Sequence, residues 1–294
     1  MKQRLIGVVL LTVFSFAQLF AQTYKVEKSN FVYKNIDGIA LEMIIYKPWV
    51  PSGVKLPAIV FFFGGGWVSG NPGQFDLQAE YLATRGIVAI CPEYRTESRH
   101  STTPFESVKD AKSAMRYLKI HWEDLGIDTS KIVASGGSAG GHLAACTAVI
   151  SNINESTDDL NVSSVPLALV LFNPVVDTGK KGYGQKKMSG REFEISPVHH
   201  ITANVPPTLI MHGKSDKTVP YENVVRFNYL MKQQNNKCTL VGYKKQEHGF
   251  FNYGKNPKYF KKTLSKTETF LDENGLLRGE SWLRTYYKNL QGKK

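Results

Sequence analysis

Three residues far apart in the chain have the types needed to activate an oxygen nucleophile. Gly136-Gly137-Ser138-Ala139-Gly140 fits G-x-S-x-G, with KIVAS before it and AGGHLAACTAVI after it. That setting puts Ser138 on a sharp turn from a buried strand into a helix, where larger neighbours would collide with adjacent backbone. A serine hydroxyl is a poor nucleophile until a base takes its proton, and the base needs a carboxylate to orient it. Asp216, in PPTLIMHGKSDKTVP, falls just past a strand and before a helix, and His248, in KCTLVGYKKQEHGFF, falls in the loop after the last strand. Ser138, Asp216 and His248 are therefore the candidate nucleophile, orienting acid and base.

The stretch IVFFFGGGWVSG, Ile59 to Gly70, places three glycines directly behind an apolar strand. A phosphate loop of the form G-x-x-x-x-G-K-[ST] lacks its lysine here, and a dinucleotide fingerprint fails because Ser69 stands where its third glycine belongs. Acyl transfer instead creates an oxyanion that needs fixed N–H donors, one from the residue after the nucleophile and others from an earlier strand-end loop. Gly65, Gly66 and Ala139 fit that oxyanion hole.

The elements that must carry these residues are legible from periodicity. FVYKNIDGIALEMIIYKP alternates on both sides of Asp37-Gly38 and predicts a hairpin. LPAIVFFF and GIVAIC are apolar on both faces, as strands covered by helices on both sides should be. Helices are predicted at Gln74 to Thr84, Phe105 to Trp122, after Ser138, over YENVVRFNYLMKQQ, and near Lys258 to Leu271. Strands also fall at KIVAS, PLALVLF, PPTLIMH and KCTLVGY. The alternation implies an α/β fold in one domain, residues 22–294, with a mostly parallel sheet of eight strands, helices on both faces and the antiparallel hairpin at its edge. Residues 173–205 form the longest irregular connection, a common place for functional groups.

Other titratable residues fit supporting roles. His212, at a strand end, is placed to hold the Asp216 loop, and His142, inside the helix after Ser138, to pack or support. His199 and His200 read as loop residues, Asp177 as a reserve acid, and Glu247 as solvent-facing.

The chain has 294 residues, 42% hydrophobic and 21% charged, which suits a globular protein with a large core. MKQRLIGVVLLTVFSFAQLFAQ has two basic residues, an apolar stretch and a small-residue end, as an export signal should, with cleavage expected after Ala21. The apolar stretch is short of the roughly 20 residues of a spanning helix, so no membrane anchor is expected after cleavage. The expected location is secreted or periplasmic. Cys91, Cys146 and Cys238 have no metal-ligand or CxxC spacing and read as buried thiols, with one disulfide pairing left open. The formal charge of +12 is scattered, which gives no nucleic-acid footprint.

From the hairpin to the last helix, the chain resembles the α/β-hydrolase superfamily. Within it, the likeness is to exported bacterial esterases related to feruloyl and acetylxylan esterases, distantly akin to the hormone-sensitive-lipase group. The motifs that carry this are FFFGGGWVSG, Glu93-Tyr94-Arg95, DAKSAMRYL, GGSAGGHLAA, HGKSDKTVP and EHGFF. The resemblance implies a Ser138, Asp216, His248 triad, no cofactor, and hydrolysis through an acyl-enzyme. It also implies that Trp67 lines the pocket entrance, although by sequence alone Trp67 could equally be an apolar plug. Two positions depart from the pattern: Phe63 stands where the loop usually has histidine, and Glu93 where the usual motif is D-Y-R. In the family that histidine orients the loop rather than donating to the oxyanion.

Lipase-like relatives carry a helical N-terminal cap, whereas residues 22–55 here read as strands and a turn. An open site suits short acyl groups, acetyl or feruloyl-type, on bulky alcohols. The substrate expected is a small ester or an acylated polysaccharide, and the Lys180, Lys181, Lys186, Lys187 cluster is a candidate contact for acidic sugars. A serine peptidase, an arylformamidase-like amidase and a non-catalytic carbohydrate-binding relative are the alternatives.

Overall fold

The computed structural model describes residues 23–277 and 279–292. The expected export signal, residues 1–21, lies outside the described residues. The elements in chain order are β1 (Val26–Ile36), β2 (Ile39–Pro48), β3 (Leu56–Phe62), α1 (Asp76–Thr84), β4 (Val88–Pro92), α2 (Glu97–His100), α3 (Pro104–Ile120) and α4 (Trp122–Leu125). There follow β5 (Ile127–Gly137), α5 (Ala139–Val149), β6 (Ala168–Phe172), β7 (Thr208–Gly213), α6 (Tyr221–Gln233), β8 (Cys238–Tyr243), α7 (Pro257–Glu273) and α8 (Leu283–Gly292).

The eight strands form one sheet in the order β1-β2-β4-β3-β5-β6-β7-β8. The β1–β2 hairpin is antiparallel and joins β4 antiparallel, and every pair from β4 to β8 is parallel. Successive residues of β3 explain why its sequence is apolar throughout. Ala58, Val60 and Phe62 enter the core shared with α3, α5 and α6, while Ile59 and Phe61 enter the core shared with α1, α7 and α8. With side chains alternating at period 2 and helices on both faces, every position from Ala58 to Phe62 is buried.

Local chemistry sets the element ends. Thr103 and Glu106 form a reciprocal capping box ahead of α3, with Pro104 in its first turn. The helix expected from Gln74 begins instead as a 3-10 turn, Pro72–Phe75, capped by Asn71, and becomes α1 only at Asp76. Helix α8 lies beyond the helices that periodicity predicts, because only Leu283 and Tyr286 of its ten residues are buried. It is tied down by the Tyr286 hydroxyl, which donates to Leu77 O at 2.9 Å.

A buried ionic cluster fastens the hairpin to the rest. Arg95 binds Asp110 through Nε and Nη2, each at 2.8 Å, and Glu155 at 2.6 Å. Lys34, from β1, reaches Asp110 at 2.7 Å and Glu155 at 3.1 Å. Two cations facing two carboxylates leave no charge uncompensated, which is the condition for burying them. Arg95 belongs to the E-Y-R motif, and its role here is structural.

Candidate active site

The carboxyl ends of the parallel strands are where an open α/β sheet gathers its functional groups. Ser138 sits between β5 and α5 with φ 56° and ψ −119°, a conformation strained for any residue but glycine. The strain is held by its surroundings: Ser138 N donates to Phe172 O at 2.9 Å, and Ser138 O accepts from His142 N and Val175 N. A Cβ on Gly140 would stand 2.0 Å from Phe62 O, and one on Gly136 would stand 2.4 Å from Gly140 O, so no larger residue fits the turn.

The structure brings the three sequence candidates together. His248 Nε2 lies 2.9 Å from Ser138 Oγ, and His248 Nδ1 lies 2.7 Å from Asp216 Oδ2. Asp216 Oδ1 accepts from the amides of Thr218 and Val219, each at 2.9 Å. Burial alone would raise the Asp216 pKa, but hydrogen bonds from His212, His248 and the Val219 amide outweigh it and hold this carboxyl well below the usual range. The carboxylate is therefore ionised, so it accepts from His248 Nδ1–H and leaves Nε2 free to take the serine proton.

Gly65 and Gly66 border the same cavity, about 280 Å³, with Ser138 and His248. Gly65 has φ +132° and Gly66 φ +64°, which L side chains rarely adopt. Among the described residues their amides donate to no acceptor within the chain. Ala139 is the first residue of α5, so its N–H has no partner inside the helix. Three N–H groups are thus unspent around Ser138, two from the glycine loop and one from the helix start.

Trp67 requires a correction. Its side chain is 1% exposed and does not line the cavity. The indole lies under the long connection, its ring 5.8 Å from that of Tyr183, and its Nε1 donates to His142 Nδ1 at 3.3 Å. Tyr183 occupies the place expected of Trp67, with its hydroxyl 2.9 Å from where a Cβ on Gly66 would stand. The connection delivers it there, and no motif spacing marks it.

The supporting residues sort by partner. His142 donates from Nε2 to Ile195 O at 2.6 Å, which fixes its tautomer and leaves Nδ1 to accept from Trp67. Burial pushes its pKa down to about 4. Asp177 pairs with Arg226 at 3.2 Å and accepts from Gly179 N, so it serves the connection and not the site. His199 and His200 border a different surface groove with Lys112 and Arg116. Lys180, Lys181 and Lys186 are exposed and Lys187 pairs with Glu97 at 3.2 Å. All three cysteines are free and buried. Phe63 is fully buried and stacks on Tyr94 at a centroid separation of 4.0 Å. Besides Tyr183, the cavity is lined by Gln74, Asn173, Thr218, Phe251 and Asn252, none of which sequence reasoning singled out. Among the described residues no group of three or more His, Cys, Asp or Glu has metal-binding geometry, and no helix is long and apolar enough to cross a membrane.

Comparison with known proteins agrees with this architecture. The BD-FAE family model matches residues 43–188 and 184–231. Esterase 2 of Thermogutta terrifontis, solved with propionate bound, superposes with a TM-score of 0.80 at 43% identity, covering 88% of this chain and 97% of that one. Among curated relatives, an acetylxylan esterase of Xylanibacter ruminicola is 29% identical over 231 residues, 73% of this chain and 44% of that protein. A probable isoprenylcysteine alpha-carbonyl methylesterase of Arabidopsis thaliana is 28% identical over 228 residues, 69% of this chain and 47% of that protein. The chain spans about half the length of the curated relatives it matches. By family match, by sheet topology and by its carboxylic-ester-hydrolase neighbours, this chain belongs to the BD-FAE family of α/β-hydrolases.

Proposed function

We propose that this chain hydrolyses short-chain carboxylic esters through an acyl-enzyme on Ser138, and that its natural substrates are acetyl or feruloyl-type esters of polysaccharides. The observation that carries the reading is the continuous line from Ser138 Oγ to His248 Nε2 at 2.9 Å and from His248 Nδ1 to Asp216 Oδ2 at 2.7 Å.

In this mechanism Ser138 Oγ attacks the ester carbonyl as its proton passes to His248 Nε2, and Asp216 stabilises the imidazolium that forms. The carbonyl oxygen becomes an oxyanion held by the amides of Gly65, Gly66 and Ala139, where one donor is worth about 2.7–4 kcal/mol in comparable enzymes. The tetrahedral centre collapses, the C–O bond to the alcohol breaks, and His248 returns the proton to the leaving oxygen. Water then repeats the sequence on the acyl carbon, giving the acid and free Ser138.

Short acyl groups are favoured by the small cavity, and propionate and butyrate occupy solved forms of Thermogutta terrifontis esterase 2. The polysaccharide alcohol is supported by the acetylxylan esterase relative and by the first described segment, which forms the sheet-edge strands β1 and β2 and not helices. Export belongs to the same proposal: the mature N-terminus, read by mass spectrometry, is expected at Gln22.

The test is hydrolysis of p-nitrophenyl acetate, longer p-nitrophenyl esters, acetylated xylan, feruloylated arabinoxylan and pectin. Ser138→Ala is expected to abolish turnover and labelling by a fluorophosphonate probe. Wild-type rates in that variant would overturn the nucleophile, and a preference for long acyl chains would overturn the short-acyl reading.

A further inference from the structure

The glycine loop beside Ser138 is held on either side of one peptide by side chains from elsewhere. The Tyr94 hydroxyl donates to Phe63 O at 2.8 Å. One residue on, Gly64 N–H donates to Gln74 Oε1 at 2.6 Å. A backbone N–H can only donate, so the carboxamide is oriented with its oxygen on the loop. Among the described residues its Nε2 has no partner within the chain, and Gln74 borders the cavity with Gly64, Gly65, Gly66 and Ser138.

The restrained peptide lies against the nucleophile, since a Cβ on Gly64 would stand 3.3 Å from Ser138 Cβ. The far side of the loop is closed by its own backbone, where Gly65 O accepts from Val68 N and Ser69 N, each at 3.1 Å. Its near side has no such bond and no polar side chain of its own, because the residue ahead of the glycines is Phe63. Gln74 is a firm anchor for that side: the Phe75 ring next to it stacks on Phe61 at 4.9 Å and on Phe251 at 5.5 Å.

We propose that Gln74 is the positioning residue of the oxyanion donors, its Oε1 fixing the Gly64 peptide so that the amides of Gly65 and Gly66 face the acyl oxygen. This rests on the reading of Ser138 as nucleophile and of those amides as donors. Donors aimed in advance cost no reorganisation when charge develops, so losing the anchor weakens the transition state more than the bound ester.

The experiment compares wild type, Gln74→Met, Gln74→Glu and Ser138→Ala. The readouts are p-nitrophenyl acetate kinetics and inhibition by a trifluoromethyl ketone, whose serine adduct places an oxyanion in the same position. Q74M keeps the length but has no acceptor for Gly64, and is expected to lower kcat about ten- to hundred-fold with KM nearly unchanged. Its affinity for the ketone should fall by the same factor as kcat/KM, and the pH of the acid limb should stay put, because His248 is untouched. Q74E keeps an acceptor and should recover part of both losses.

A folded Q74M within about three-fold of wild-type kcat/KM overturns the assignment, as does a Q74E no better than Q74M. If Q74M does not fold, Q74E decides: activity within about thirty-fold of wild type supports the assignment, and a larger loss in a folded protein overturns it. Full activity in Ser138→Ala is a different failure, that of the nucleophile reading itself.

Discussion

His212 Nε2 lies 3.2 Å from Asp216 Oδ2, the same oxygen that His248 Nδ1 approaches at 2.7 Å. His212 Nε2 is also 3.0 Å from Val219 O, an acceptor only, so this nitrogen carries the proton and the ring is a donor to both. Two histidines thus converge on one carboxylate oxygen, one as reacting partner and one as support. Replacing His212 by Phe keeps a ring but removes the donor. Asp216 then bears more unshared charge toward His248, so the acid limb of kcat/KM is expected to move to higher pH. The loosened Asp216 loop should lower kcat roughly ten- to hundred-fold. Asp216→Asn should lower kcat about 10⁴-fold, because the amide favours the wrong His248 tautomer. A pH–rate profile of both variants checks the pair.

His142 makes stability depend on pH. Its folded pKa is lowered to about 4 from an ordinary value of 6.5, because burial disfavours the imidazolium. Between those values the unfolded chain binds the proton and the folded one does not, so stability is lost as pH falls through this window. The loss attributable to this residue is about 3 kcal/mol by pH 4. Urea unfolding at pH 7.5 and at pH 4.5 should show a steep decline in wild type and a shallower one in His142→Gln.

Arg95 compensates two buried carboxylates. Arg95→Met leaves Asp110 and Glu155 with Lys34 alone, and is expected to lower the unfolding free energy by about 3–5 kcal/mol. Arg95→Lys should recover only part of this, since an ammonium cannot repeat the two-point contact with Asp110. Denaturant titration of the two variants measures the difference.

Tyr183 hangs over Gly66 at the cavity wall. Tyr183→Ala should widen the site and raise the ratio of octanoate to acetate kcat/KM by about ten-fold or more, as pocket contacts with added methylenes become available. Assays with p-nitrophenyl esters of rising chain length read this directly.

Much of this was legible because local pattern and topology agree. A strand apolar on both faces requires helices on both sides, and a glycine-bounded serine between strand and helix requires a sharp turn. The carboxyl ends of parallel strands lie on one edge, so residues 138, 216 and 248 could be grouped from their positions after strands. Their separations depended on folding. So did every contact made by the irregular connection, whose residues follow no period: Tyr183 reached the cavity and Trp67 was covered.

The sequence by itself determined the order of the elements, the three strand-end candidates and the glycine loop, because periodicity and turn chemistry are written in neighbouring residues. Only the tertiary structure decided what holds those groups in place. His212 against Asp216 and Gln74 against Gly64 are hydrogen bonds a few ångströms long, and their geometry is set by packing between elements.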